Sequence, residues 1–340
     1  MKRFVQKNTR FIVTTLALAI LLSSGAIAFA LSDGPVEVPT VLRTLSANVA
    51  ENIYVQPEIE HDYEEAVLVD DEIAEAAAAA VASAATELQT ATGIVMRAAA
   101  PPISVSIEAP NTVIRFTLPE GYNAADVTTL AALTAGTLRP VPTRIEGNYI
   151  ITLLNADTVL VPLNVEANFT DIDFGPQFAN VTDEINRAAS MMIVQGQGQG
   201  VFAPTTSVTV QDAATMFLRA MGVPVEWGTA IQTAVAVGLT DGVINPSAPL
   251  SRVSTAVMIA NALDAVGVDV NLTPAQVDQH LAPFTDLGGL DAAQREALAI
   301  TVSLGIFRGA GDGLMDPDQP LRRSAIASLS VRLQDVFLGT

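Results

Sequence analysis

The chain has 340 residues, 17 Lys and Arg against 36 Asp and Glu, a formal net charge of −19, and no cysteine. That length accommodates about two domains. The charge argues against nucleic acid and anionic membrane as partners, and the lack of cysteine excludes disulfides and thiolate metal sites.

The first thirty residues read as a secretory signal. Lys2, Arg3, Lys7 and Arg10 form a basic n-region, Phe11 to Leu22 an apolar core, and Ala28-Phe29-Ala30 a small-residue cleavage site. The other reading is an uncleaved membrane anchor of about the same length. Cleavage leaves 13 basic residues and a net charge near −23. No second apolar run reaches that length, so the mature chain is expected to be exported, soluble and free of membrane. An acidic, cysteine-free exported chain fits a bacterial cell surface.

Residues 31–100 form the next unit. Glu58, Glu60, Asp62, Glu64, Glu65, Asp70, Asp71, Glu72 and Glu75 occur with no Lys or Arg between them, and an Ala-rich run follows. This predicts one helix over about 62–96, its acidic end at the positive pole of the helix dipole, serving as a stalk or linker. A partly ordered solvated segment is the alternative. From Pro101 the apolar period becomes two: Ile103/Val105/Ile107, Ile114/Phe116/Leu118, Tyr149/Ile151/Leu153 and Val159/Val161/Leu163. Pro119-Glu120-Gly121 and Glu146-Gly147-Asn148 supply turns. Residues 101–167 thus read as a small antiparallel, sandwich-like β module. The runs Phe116 to Tyr122 and Leu138 to Pro142 resemble the immunoglobulin-like modules that precede anchoring repeats in exported bacterial surface proteins.

The remainder, 168–340, is repetitive. Gly200-Val201-Phe202-Ala203-Pro204, Gly242-Val243-Ile244-Asn245-Pro246 and Gly313-Leu314-Met315-Asp316-Pro317 share Gly, any, apolar, any, Pro, each with a helix start six residues beyond the Pro. A unit too short to bury its own apolar face must stack on its neighbours. The units span about 169–222, 223–270 and 284–340, each reading as helix, Gly-rich loop, helix. First helices are expected over 183–192, 227–237 and 291–304, and second helices over 210–221, 252–266 and 323–337. Phe169-Thr170-Asp171 opens the first unit and Phe284-Thr285-Asp286 the third. Thr273-Pro274-Ala275-Gln276 predicts an extra short helix between units two and three.

Phe-x-Asp, the run Asp183 to Ser190, the Gly-rich loops and the helix starts together resemble the S-layer homology (SLH) repeats that hold exported bacterial proteins to the cell wall. The resemblance covers about 169–340. It implies three repeats in a pseudo-threefold all-α bundle, with pyruvylated wall polysaccharide bound in the grooves between them. The family's helix start is Thr-Arg-Ala-Glu. In physical terms Thr and Glu close a capping box, and Arg beside unpaired helix N–H groups makes a carboxylate site.

This chain keeps that start unevenly. Thr209-Val210-Gln211-Asp212 has the box without the cation, Ser251-Arg252-Val253-Ser254 the cap and cation without the acid, and Arg322-Arg323-Ser324-Ala325 cations without a side-chain cap. At most two working grooves are therefore expected, at Arg252 and Arg323, with Arg322 beside the latter. The alternative for these arginines is an exposed helix-start residue that aids solubility. The family's first-helix Trp falls at Asn180 and Ala293, while Trp227 lies one residue out of register, as a groove residue or a core residue. Asp171 and Asp286 orient the groove or cap local backbone, and Gly196 and Gly309 serve backbone geometry. Gly311 to Asp316 spaces its carboxylates without completing a calcium loop, and lacks the closing Glu, so no metal or cofactor is expected; calcium binding there is the alternative.

His61 and His280 are the only histidines and neither has a partner motif. No Gly-x-Ser-x-Gly, phosphate loop or His-Glu-x-x-His occurs, and the β module is small for a carboxylate-pair glycosidase cleft. The sequence therefore reads as a multidomain α+β, non-enzymatic surface protein. Its expected partner is cell-wall polysaccharide or peptidoglycan-linked glycan. The alternatives are a subunit of a surface lattice, binding itself or other surface proteins, or an interaction module whose repeats have lost the glycan.

Overall fold

A computed structural model describes residues 61–63, 67–240 and 245–339. The signal, residues 31–60 and 64–66 of the acidic segment, and residues 241–244 of the second loop lie outside the described residues. The N-terminal half runs β1 (His61–Tyr63), β2 (Val67–Leu68), α1 (Asp71–Thr92), β3 (Ile94–Ala98), β4 (Ile103–Val105), β5 (Thr112–Thr117), β6 (Thr129–Thr134), β7 (Thr137–Val141), β8 (Thr143–Glu146), β9 (Tyr149–Leu154) and β10 (Thr158–Ala167).

Asp70 caps α1 by accepting from the Ile73 N–H at 3.0 Å, and Gly93 ends it in the left-handed conformation, φ 75°. The helix is therefore shorter than the expected 62–96. It does not project as a stalk: Ala77, Ala80, Val81 and Leu88 are buried in the main core, against the sheet. Beyond Gly93 the period changes to two, with Ile94 and Met96 buried and Val95 and Arg97 exposed, so this stretch becomes β3 and pairs with β10.

Two sheets face each other. One has the order β1-β5-β9-β8, the other β2-β4-β10-β6-β7 with β3 also on β10. Pairing is antiparallel except between β1 and β5, which run parallel. Strand β10 has β6 on one side and β4 then β3 on the other, with Pro162, which has no ladder N–H to give, at the changeover. Leu160 points into the sandwich with Ile103, Phe116, Leu130 and Ile150. Val161, Leu163 and Val165 point the other way, into the core shared with α1 and the C-terminal helices. Burial on both faces accounts for the nearly unbroken apolar run of this strand.

The C-terminal half consists of α2 (Ala179–Ser190), α3 (Val210–Ala220), α4 (Ala230–Ala236), α5 (Arg252–Ala265), α6 (Pro274–Leu281), α7 (Ala292–Ser303) and α8 (Arg323–Phe337). The extra helix α6 starts with the Thr273/Gln276 capping box. Helix α4 is short because a 3-10 turn, Trp227–Thr229, takes the place of its first turn. Each first helix packs on the second helix of the preceding unit: α4 on α3, α7 on α5, and α2 back on α8. At the centre the backbone closes a ring. The Val208 N–H donates to Leu321 O, Leu321 N–H to Leu250 O, and Leu250 N–H to Val208 O, each at 2.9 Å. Arg332 and Arg187 on α8 and α2 form paired bonds to Glu184 and Asp335, so the last helix is tied to the first of the bundle.

The expected boundaries at 100/101 and 167/168 fall inside one packed body. A Cβ on Gly222 would meet Pro142 at 2.8 Å, one on Gly196 would meet the Thr92 carbonyl at 2.9 Å, and Asn111 Nδ2 donates to Ala265 O at 3.5 Å. A sheet face this apolar needs a cover, and α1 and the bundle supply it.

Candidate functional site: the grooves between the helical units

The two Gly-rich loops with a Phe-x-Asp start have the same local construction. The Asp171 carboxylate accepts from the N–H groups of Phe202 (2.8 Å) and Ala203 (2.7 Å), and Asp286 accepts from Met315 (3.0 Å) and Asp316 (2.7 Å). These are bonds across some thirty residues of sequence, not the local caps considered above. Burial works against the Asp286 charge, but the Met315 and Asp316 N–H groups and the Arg252 cation outweigh it and hold its pKa below the usual carboxylate value. Ala203 and Asp316 take φ of 58° and 50°, an unfavourable conformation that the carboxylate holds in place. Gly196 and Gly309 serve close approach: a Cβ there would meet Phe169 Cε1 at 3.0 Å and Phe284 Cε1 at 2.7 Å.

The arginines sit otherwise than the capping argument implies. Arg323 Nε donates to Phe202 O at 2.9 Å and its Nη2 to Gln195 O at 2.7 Å, with the guanidinium 4.8 Å from the centre of the Phe202 ring. Arg252 repeats the arrangement one unit earlier, through Met315 O (2.6 Å), Arg308 O (2.9 Å) and the Phe307 ring (5.2 Å). Each arginine thus latches the second helix of one unit to the loop of the next. Burial lowers the pKa of both, opposed for Arg252 by Asp316 and Asp286 and for Arg323 by Asp212 and Asp171. Arg323 is 7% exposed, which disposes of the solubility reading for it. The helix N-termini are occupied as well. Arg323 N and Ser324 N donate to Thr206 O and Pro204 O, Arg252 N and Val253 N to Gln319 O and Pro317 O, and Val210 N and Gln211 N to Ala248 O and Pro246 O. The anion site of an arginine beside open helix N–H groups is therefore closed in all three units.

The remaining positions separate. Arg322 is the uncapped, exposed N-cap of α8. Thr209 and Asp212 complete the capping box of α3. Trp227 is 59% exposed, so it is not a core residue; its Nε1 donates to Asp212 Oδ1 at 3.1 Å and its carbonyl accepts from Gln211 Nε2 at 2.7 Å.

One groove of about 320 Å³ opens between α2 and α8. Asn180 and Glu184 line it from α2, Arg332 from α8, Phe307 and Arg308 from the third loop, and Arg252 reaches it from α5. Three arginines and one carboxylate line the groove. Glu184 is bound to Arg332 at 2.9 and 3.0 Å and the charges of Asp316 and Asp286 act on Arg252, so the positive charge left over in the lining is that of Arg308. Of these residues the sequence reading named Arg252 as a site residue. Arg308 was legible as the residue before Gly309; Glu184 and Arg332 lie 148 residues apart and only the α2–α8 contact joins them.

Comparison with the curated proteins gives no match. Residues 283–327 match the family model of the S-layer homology domain. The matched stretch takes in Phe284, Asp286, the loop from Gly309 to Pro317 and the start of α8, and the chain is an S-layer homology domain-containing protein.

Proposed function

We propose that the three helical units are three divergent SLH repeats and that they hold the exported chain at the cell surface by binding an acidic wall polysaccharide, without catalysis. Association with the cell surface is what an SLH domain implies; the glycan and its charge are this reading's own. The observation that carries it is the positive groove between α2 and α8 in a chain of net charge −19. A ketal-linked pyruvate on a wall sugar presents one carboxylate, which suits a guanidinium fork. Among the described residues no helix is long and apolar enough to cross a membrane, so attachment through a surface polymer is consistent with the described part.

The test is co-sedimentation of the mature full-length chain with purified wall sacculi, before and after mild acid removal of ketal pyruvate. The full chain is used because the bundle and the β module share a core. Binding that disappears with the pyruvate supports the reading. A chain that stays in solution with both preparations, or pellets equally with both, overturns it; ordered self-assembly without sacculi would favour the lattice alternative.

A further inference from the structure

We infer that Arg308, and not the helix-start arginines, is the residue that captures the ligand carboxylate, and that the chain has a single such groove. This rests on the reading of the α2–α8 groove as the glycan site and names its specificity residue.

Three guanidinium groups line the groove, and two are committed to the framework. Arg252 gives Nε and Nη2 to Met315 O and Arg308 O and lies over Phe307. Arg332 gives Nε and Nη2 to Glu184 and Nη1 to Ile306 O. The Arg308 side chain is exposed and, among the described residues, has no hydrogen bond or ion pair. Its backbone is nonetheless fixed, because its carbonyl accepts from Arg252 and the next residues form the Ala310-to-Leu314 turn, N–H to O at 2.7 Å. A free fork on a rigid base needs little ordering to take a carboxylate in a two-pronged contact.

The other two units cannot repeat it. Loops one and three superpose residue for residue in conformation: Gly198, Gln199 and Gly200 have φ of 106°, 52° and 73°, and Gly311, Asp312 and Gly313 have 109°, 52° and 72°. In that register Arg308 corresponds to Gln195, which is neutral. In the second unit Leu239 N–H bonds to Ala234 O as Ile193 does to Ala188 and Ile306 to Thr301. From those residues the sequence runs 11 positions to Pro204 and to Pro317 but 7 to Pro246. Two residues past Leu239, where the third loop has Arg308, the shorter loop has Asp241, an acid.

The experiment compares full-length R308Q, R308K and R322Q in sacculus co-sedimentation, and follows the Arg308 Nε–Hε NMR signal while a methyl hexoside bearing a 4,6-linked pyruvate ketal is added. R308Q installs the residue of loop one, and R322Q makes the same charge change outside the groove. The expected result is a loss of roughly ten- to hundredfold for R308Q, a smaller loss for R308K, binding within about twofold of wild type for R322Q, unchanged melting temperatures, and a ligand-dependent shift of the Arg308 signal. If R308Q pellets like wild type in a pyruvate-dependent way, the inference fails and the anchoring reading stands. If wild type does not bind sacculi, that reading fails; an Arg308 signal that also ignores the ketal then overturns the inference.

Discussion

The loop ending at Pro204 and the loop ending at Pro317 share a backbone and differ in what surrounds it. Both are held by an aspartate from a Phe-x-Asp start and both are latched by an arginine from the preceding unit. The first is covered: Thr92 O lies against Gly196, and a Cβ on Gly93 would meet the Gly200 backbone at 3.0 Å. Among the described residues the third has no such cover, and it carries Arg308. The arginine also tracks loop length. It faces each of the two long loops, whereas the helix start that meets the described end of the shorter second loop, through Val210 N–H to Ala248 O, has the buried, apolar Val210 in its place. The cation at the helix start is thus explained by the framework, as the partner of two loop carbonyls.

The largest test of that comparison is to remove the latches. Arg323→Ala strands the Phe202 and Gln195 carbonyls and is expected to cost about 3 kcal/mol, whereas Arg252→Ala, at a more open position, costs about 2 kcal/mol; denaturant midpoints measure both. Lysine, a point charge without the fork, restores less than half of either loss. Equal and negligible losses would return both arginines to the role of ligand contacts.

The loop glycines sharpen the same contrast at smaller cost. Alanine at Gly196 meets Thr92 O, Phe169 and Val201 O at 2.9 to 3.0 Å, two of them backbone atoms, and is expected to cost about 2 kcal/mol. Alanine at Gly309 meets the edge of Phe284 at 2.7 Å, which can shift, and a single backbone atom, Leu314 O, at 3.0 Å, and costs about 1 kcal/mol. Thermal melts rank the two; the reverse order would mean that α1 gives way more easily than a Phe ring.

Acid probes the third loop by itself. The Asp286 pKa is lowered on folding, so its contribution is present above about pH 4, where the unfolded carboxylate is ionised, and is lost as pH falls through the lower folded value. Asp286→Asn should therefore flatten the acid limb of the stability curve below about pH 4. A variant whose acid limb matches wild type would mean that the Met315 and Asp316 bonds do not depend on the charge.

How much of this could be read from the sequence varied with how local the cause was. The starts of α5, α6 and α8 were legible, as were the capping boxes, because Ser, Thr, Pro and Gln act within one turn. Strands β4, β5, β9 and β10 announced themselves by alternation. Strand β3 did not, because Ile94 to Ala98 follows an Ala-rich helix without a polar break and only Gly93 marks the change. The arginine latches were not legible, since their partners are carbonyls of another unit and any residue supplies a carbonyl. The groove residue Arg308 was within reach by matching the loops on Gly196 and Gly309, but the charge balance around it depends on the Glu184–Arg332 pair.

The smallest effect is expected at Trp227, the chain's one tryptophan. It stands beside Asp212, whose charge acts on the buried Arg323. A tryptophan buried in a core costs about 3 to 5 kcal/mol on truncation to alanine. Trp227 is largely exposed and has one side-chain hydrogen bond, to a carboxylate that already serves as a helix cap, so Trp227→Ala should cost less than about 1 kcal/mol. Its fluorescence gives an independent reading, with water-like emission and ready quenching by acrylamide. A blue, unquenched signal would place the indole inside a contact with another copy or with the undescribed N-terminal segment. Quenching that is relieved by sacculi would instead make this face a second contact with the wall.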